Sequence, residues 1–150
     1  MTPPWYGLHY PTWDDLSAVA DHMAVPVKEK PAPRSAFLPK DSEGPLIIVP
    51  AGLHPLGRIW ALAHELGHAR LHSGPIPLAK GRQASQANRW ASCALIPESR
   101  INVHRNASLD AMIAALSAHY EDIPYIDCPA RSLAARIGRY RLQALAVPHV

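Results

Sequence analysis

The stretch that most constrains the fold runs from Pro55 to His72 and reads Pro-Leu-Gly-Arg-Ile-Trp-Ala-Leu-Ala-His-Glu-Leu-Gly-His-Ala-Arg-Leu-His. Leu56, Ile59, Leu62, Ala63, Leu66 and Ala69 recur at the spacing of one helix side, while His64, Glu65, His68 and His72 fall on the other. Pro55 suits a first turn, and Gly74 followed by Pro75 suits a stop. On a helix, residues four apart lie one turn above each other, so the imidazoles of His64 and His68 can reach one metal ion. Glu65 then leans toward the ion's open coordination site, where a carboxylate can take a proton from water. With 9 His in 150 residues, a shuffled chain shows this His-Glu-x-x-His pattern with a probability of only roughly 0.02. The ordinary alternative is a surface helix with titrating histidines.

The totals set the frame for that helix. A chain of 150 residues with 48% hydrophobic residues can bury a core, and the length predicts a single domain over 1–150. A formal charge of +3 permits an acidic partner without demanding one. Cys93 and Cys128 lack paired-thiol spacing and read as buried thiols in a reducing compartment. No apolar run is long enough to span a bilayer and no signal-peptide core follows Met1, so the expectation is a cytoplasmic protein with no membrane association. Sixteen prolines cut the chain into short pieces and argue against a coiled coil or an extended sheet.

Before the central helix, residues 1–11 read as an irregular lead-in. Thr12 and Asp15 form a capping-box pattern, and Trp13, Leu16, Val19, Ala20 and Met23 predict a helix from Trp13 to Met23 that Pro26 limits. Ser35–Pro39 and Pro45–Pro50 are β-prone and separated by Asp41-Ser-Glu-Gly44, a hairpin signal. Such an edge could accept an extended peptide by strand addition, or only cover the central helix. After it come a helix from Arg82 to Ile96 carrying Ala87, Trp90, Ala91, Ala94 and Leu95 on one face, and another starting at Asn106-Ala-Ser108 with Leu109, Met112, Ile113, Leu116 and Tyr120 as its stripe. A final helix after Pro129 carries Leu133, Ala134, Ile137 and Tyr140.

The helix from Arg82 brings in a family. Its Gln86-Ala87-Asn88-Arg89-Trp90-Ala91 and Leu95-Ile96-Pro97 resemble the Ala-Asn-x-Phe-Ala…Leu-Leu-Met-Pro element that ImmA/IrrE-like metallopeptidases place shortly after a His-Glu-x-x-His helix. The resemblance covers residues 12–100 and rests on two motifs in order. It implies an α+β class: a compact zincin-like (minigluzincin) domain, mostly helical, with a small β-hairpin or sheet beside the active helix. It further implies zinc bound by His64 and His68, with Glu65 as general base, and helix-turn-helix repressors as substrates in mobile-element or stress responses. Asn88 itself reads as a residue that orients a ligand and not as a ligand.

One position departs from that pattern. The family's third ligand is a glutamate three residues before the Ala-Asn pair, and here that position is Ala84. Alanine cannot bind metal, and no acidic residue occurs between Glu65 and Glu98. His72 is a weak candidate, because a straight helix sets it two turns, about 12 Å, from His64. Glu98 could fold back from beyond Pro97, and His104 and His119 are remoter still. Two histidines alone leave a labile site.

Three functions therefore compete. The first is a zinc endopeptidase acting on a protein partner; the second is a zincin shell kept as a non-catalytic protein-binding module, for which Ala84 speaks. The third is nucleic-acid binding through Arg131, Arg136, Arg139 and Arg141, which more ordinarily form a solvated basic face near a helix C-terminus. Direct nucleic-acid binding is not the expectation.

Overall fold

The computed structural model describes residues 9–41, 44–71, 80–98, 101, 108–120 and 129–145. Thr12 starts α1 (Trp13–His22) with a complete capping box: its hydroxyl accepts from the Asp15 N–H and the Asp15 carboxylate accepts from the Thr12 N–H. Met23 caps its C-terminus, so the helix ends one residue before the expected bound. Ala24 then takes a left-handed φ of 56°, which costs about 1 kcal/mol in a non-glycine residue. The Val25 N–H donating to Ala20 O at 2.9 Å holds that turn and sends the chain into β1 (Val27–Lys30).

β2 (Ala36–Asp41) and β3 (Gly44–Pro50) form the expected hairpin, with Phe37 opposite Ile47 and a register shift between Leu38 and Asp41 where Pro39 has no N–H to give. The sheet order is β1-β3-β2, so β3 is central and pairs in parallel with β1 and antiparallel with β2. Strand β1 was not foreseen. Its Lys28, Glu29 and Lys30 are exposed, and only its pairing to β3 defines it.

The central helix, α2 (Pro55–Leu71), begins as the sequence suggests. The Leu56 N–H donates to His54 Nδ1 at 3.1 Å, which occupies one of the donors left free at a helix start. It touches α1, β2, β3 and the two helices α3 (Lys80–Leu95) and α5 (Pro129–Leu145). All six apolar residues of the predicted face are buried, and Leu56, Leu62 and Leu66 are sealed completely. Truncating any of these three to Ala would cost about 2–5 kcal/mol. α3 starts two residues before Arg82, and α4 (Leu109–His119) starts after Ser108, whose hydroxyl accepts from the Ala111 N–H. α4 packs on α5, and the Tyr120 hydroxyl ties its end to Pro11 O at 2.8 Å.

A bidentate pair, Arg58 Nε to Glu29 at 2.9 Å and Nη2 at 2.6 Å, joins α2 to β1. The same guanidinium lies 3.6 Å from the centre of the Trp13 ring, so α1 is held in the cluster as well. This pair pulls the Glu29 carboxyl below its ordinary range. No described helix is long and apolar enough to cross a membrane.

Candidate active site

The approach of α3 to α2 sets the site. Gly67 lies against Ala87 so closely that a Cβ there would sit 3.1 Å from both Ala87 Cα and Ala87 O. Glycine in a helix interior costs about 1 kcal/mol relative to alanine, and here it permits backbone contact between two helices. That contact brings Ala84 and Asn88, on the neighbouring turns of α3, into the same cleft as His64 and His68. The cleft is about 850 Å³ and opens between α2, α3, α5 and the β2 edge.

Within it, His64 Nε2 and His68 Nε2 are 3.2 Å apart, with their rings nearly perpendicular at 85°. Two nitrogens each about 2.0–2.1 Å from a shared ion at a tetrahedral angle would stand about 3.3 Å apart. The histidine pair therefore fits one ion. Trp60 supports it from the α5 side: its ring lies 6.1 Å from His64 and stacks on Tyr140 at 5.8 Å, with the two planes 8° from parallel. Tyr140, expected as a core residue of its helix, instead lines the cleft.

Glu65 departs further from expectation. The helical wheel sets it away from the apolar side, yet it is 4% exposed, because β2 lies over that side of α2. Its carboxylate accepts from the Ser35 hydroxyl at 3.0 Å and from the Phe37 N–H. Burial raises its pKa to about 7, against the lowering effect of those two donors. Donor atoms of His64, Glu65 and His68 all lie within 4.8 Å of one another.

No further acidic or histidine side chain joins this group among the described residues. Glu98 is exposed and stands outside it. His119 is engaged elsewhere, stacking on Tyr10 at 4.4 Å. His72, His104 and Cys128 lie outside the described residues. Ala84 faces the cleft, and Asn88 lines it too.

The family can now be stated. The model of the IrrE N-terminal-like peptidase domain matches residues 20–121, an interval that holds the sheet, α2, α3 and the histidine pair. This chain belongs to that family. The compact α+β zincin-like fold follows with it, as does a metallopeptidase-type domain. Neither the curated proteins nor the solved structures give a significant match.

Of the group that could hold a metal, His64 and His68 offer imidazoles, and Ala84 stands where the resemblance led to the expectation of a third ligand. The residues fit an ion held at two points. Sequence reasoning missed Ser35, Phe37, Trp60 and Arg136 as site residues; only the folded hairpin and the α5 packing bring them to the cleft. The proposed basic face on the last helix also breaks up. Arg141 is buried and its Nε donates to Ile96 O at 2.8 Å, closing the end of α3. Arg136 lines the cleft, while Arg139 is exposed.

Proposed function

We propose that this chain is a zinc-dependent endopeptidase acting on a protein substrate, with a helix-turn-helix repressor as the class to test first. Glu65 carries the proposal. A carboxyl that is buried, held by two donors and raised to about 7 beside two converging imidazoles is a costly group to keep in a mere scaffold. Its pKa suits a general base working near neutrality. Zinc on His64 and His68 would supply a Lewis acid that polarises the scissile carbonyl and makes water acidic.

The chain's own residues supply the rest. Ser35 and the Phe37 N–H fix the Glu65 carboxylate, which takes the proton from the attacking water and returns it to the leaving amine nitrogen. β2 is an edge strand and its residues Ala36, Phe37 and Pro39 border the cleft, so an extended peptide can lie along it, with the Phe37 N–H kept by Glu65 and Pro39 having none to give. Asn88 would hold a group near the ion.

Ala84 favours a second reading, in which the cleft binds a protein partner without cutting it. Incubating the zinc-loaded chain with a helix-turn-helix repressor from the same genome, and identifying fragments by mass spectrometry, separates the two. Cleavage by the wild type that falls about a hundred- to ten-thousandfold in Glu65→Gln supports the peptidase. Equal cleavage by both refutes Glu65 as the base, and a stable uncut complex supports the binding module.

A further inference from the structure

The cleft carries a charge pattern that the peptidase chemistry does not use. Arg34, at the entry to β2, and Arg136, on α5, both line it and both are exposed. Three other described arginines are employed in the fold: Arg58 grips Glu29, Arg141 closes α3, and Arg70 lies 5.6 Å from the Trp90 ring. No carboxylate among the described residues pairs with Arg34 or Arg136. Among the described residues of the lining one side chain is acidic, Glu65, and its oxygens already face Ser35 and the Phe37 N–H. The same lining also carries apolar side chains, Leu53, Trp60, Phe37 and Leu133. Leu53 is 39% exposed, which leaves apolar surface for an occupant to cover.

A guanidinium offers five donors in a fixed fork that matches a carboxylate at two points. Two such forks on the cleft wall, with no carboxylate among the described residues to satisfy them, select an occupant that brings anions. An extended segment sends alternate side chains to one face, so one strand can present acidic and apolar groups to the cleft together.

We propose that the peptide segment seated in this cleft is acidic, carrying Asp or Glu side chains that Arg34 and Arg136 read. This selectivity deepens the peptidase reading of the same cleft and rests on it for the occupant being a peptide. Exposed ion pairs are each worth little, so the two together should give about a tenfold preference, falling with salt.

Fluorescence anisotropy tests it on the zinc-equilibrated chain carrying Glu65→Gln, so that nothing is cut. The probes are labelled, terminally blocked peptides of Ala, Leu and Ser with a central pair of Glu residues, and the same peptides with Gln. Roughly tenfold tighter binding of the Glu peptides is expected. That preference should vanish in Arg34→Gln/Arg136→Gln and be reduced but not lost in Arg34→Lys/Arg136→Lys, which keeps the charge without the fork. Both side chains are exposed, so neither pair of substitutions disturbs the core. Equal binding of Glu and Gln peptides, no binding of either, or a preference that persists in the double Gln variant would overturn the proposal. Charge-selective binding here, with no cleavage of any protein by the zinc-loaded wild type, would sink the peptidase reading and leave this selectivity standing. Cleavage indifferent to charge would do the reverse.

Discussion

Replacing Glu65 by Gln should stabilise the metal-free protein above neutral pH, although it removes the proposed base. The folded-state pKa is about 7 against an ordinary value of 4.5, so the native protein holds this proton more tightly than the unfolded chain. The sign follows. Below the unfolded value both states are protonated and the group costs nothing. Stability is then lost as pH rises from the unfolded value to the folded one, and the loss is complete above about 7. A shift of that size corresponds to about 3 kcal/mol. Glutamine is neutral throughout, but its amide oxygen cannot satisfy Ser35 and Phe37 as fully as a carboxylate does, which returns about 1 kcal/mol. The net expectation is about 2 kcal/mol of added stability at pH 8 and none, or a slight loss, near pH 4.5. Urea unfolding of both proteins with a chelator present, at several pH values, measures the difference directly. Contributions of all other groups cancel between the two proteins. A difference in unfolding free energy that does not change with pH would refute the claim that Glu65 is ionised at a cost in its buried site.

Other consequences concern the metal site and its scaffold. Ala84→Glu places a carboxylate in the cleft beside the histidine pair and should tighten zinc binding roughly tenfold or more, read by competition with a chromophoric chelator. Gly67→Ala gains helix propensity but drives a methyl group against the Ala87 backbone, which moves less readily than a side chain. A net destabilisation of about 1 kcal/mol by urea unfolding is expected, together with weaker zinc binding as α3 shifts from α2.

How much of this was legible varies with the distance over which each feature is decided. The α2 and α3 helices could be read because their apolar residues recur with the helical period, and Pro55 marks the start of α2. The start of α3 carries no such signal and was placed two residues late. The hairpin likewise declared itself through two β-prone runs around Gly44, which takes a φ of 107° in the observed turn. β1 could not be read, since Val27-Lys-Glu-Lys has one apolar residue and becomes a strand only by lying along β3. The histidine pair was visible from its spacing, but the burial of Glu65 was not. The residues that cover it, Ser35 and Phe37, lie some thirty positions upstream and arrive only when the hairpin folds onto α2. On α5 the limit was the period itself. Tyr140 fitted an apolar stripe and Arg141 a basic face, whereas packing against α2 and α3 turned the first to the cleft and the second inward. Ala84 is the opposite case: a one-residue departure plain in the sequence, whose consequence is a cleft wall with no third acidic or histidine ligand beside the pair and Glu65 among the described residues.

The central claim is that two histidines hold the ion while Glu65 stays free of it to act as the base. Calorimetric zinc titration of the wild type, His64→Ala and Glu65→Gln tests this most directly. The expected result is one ion per wild-type chain, none in His64→Ala, and undiminished binding in Glu65→Gln. Loss of zinc binding in Glu65→Gln would make Glu65 a ligand instead of the base, and a wild-type chain that takes up no zinc would contradict the account altogether.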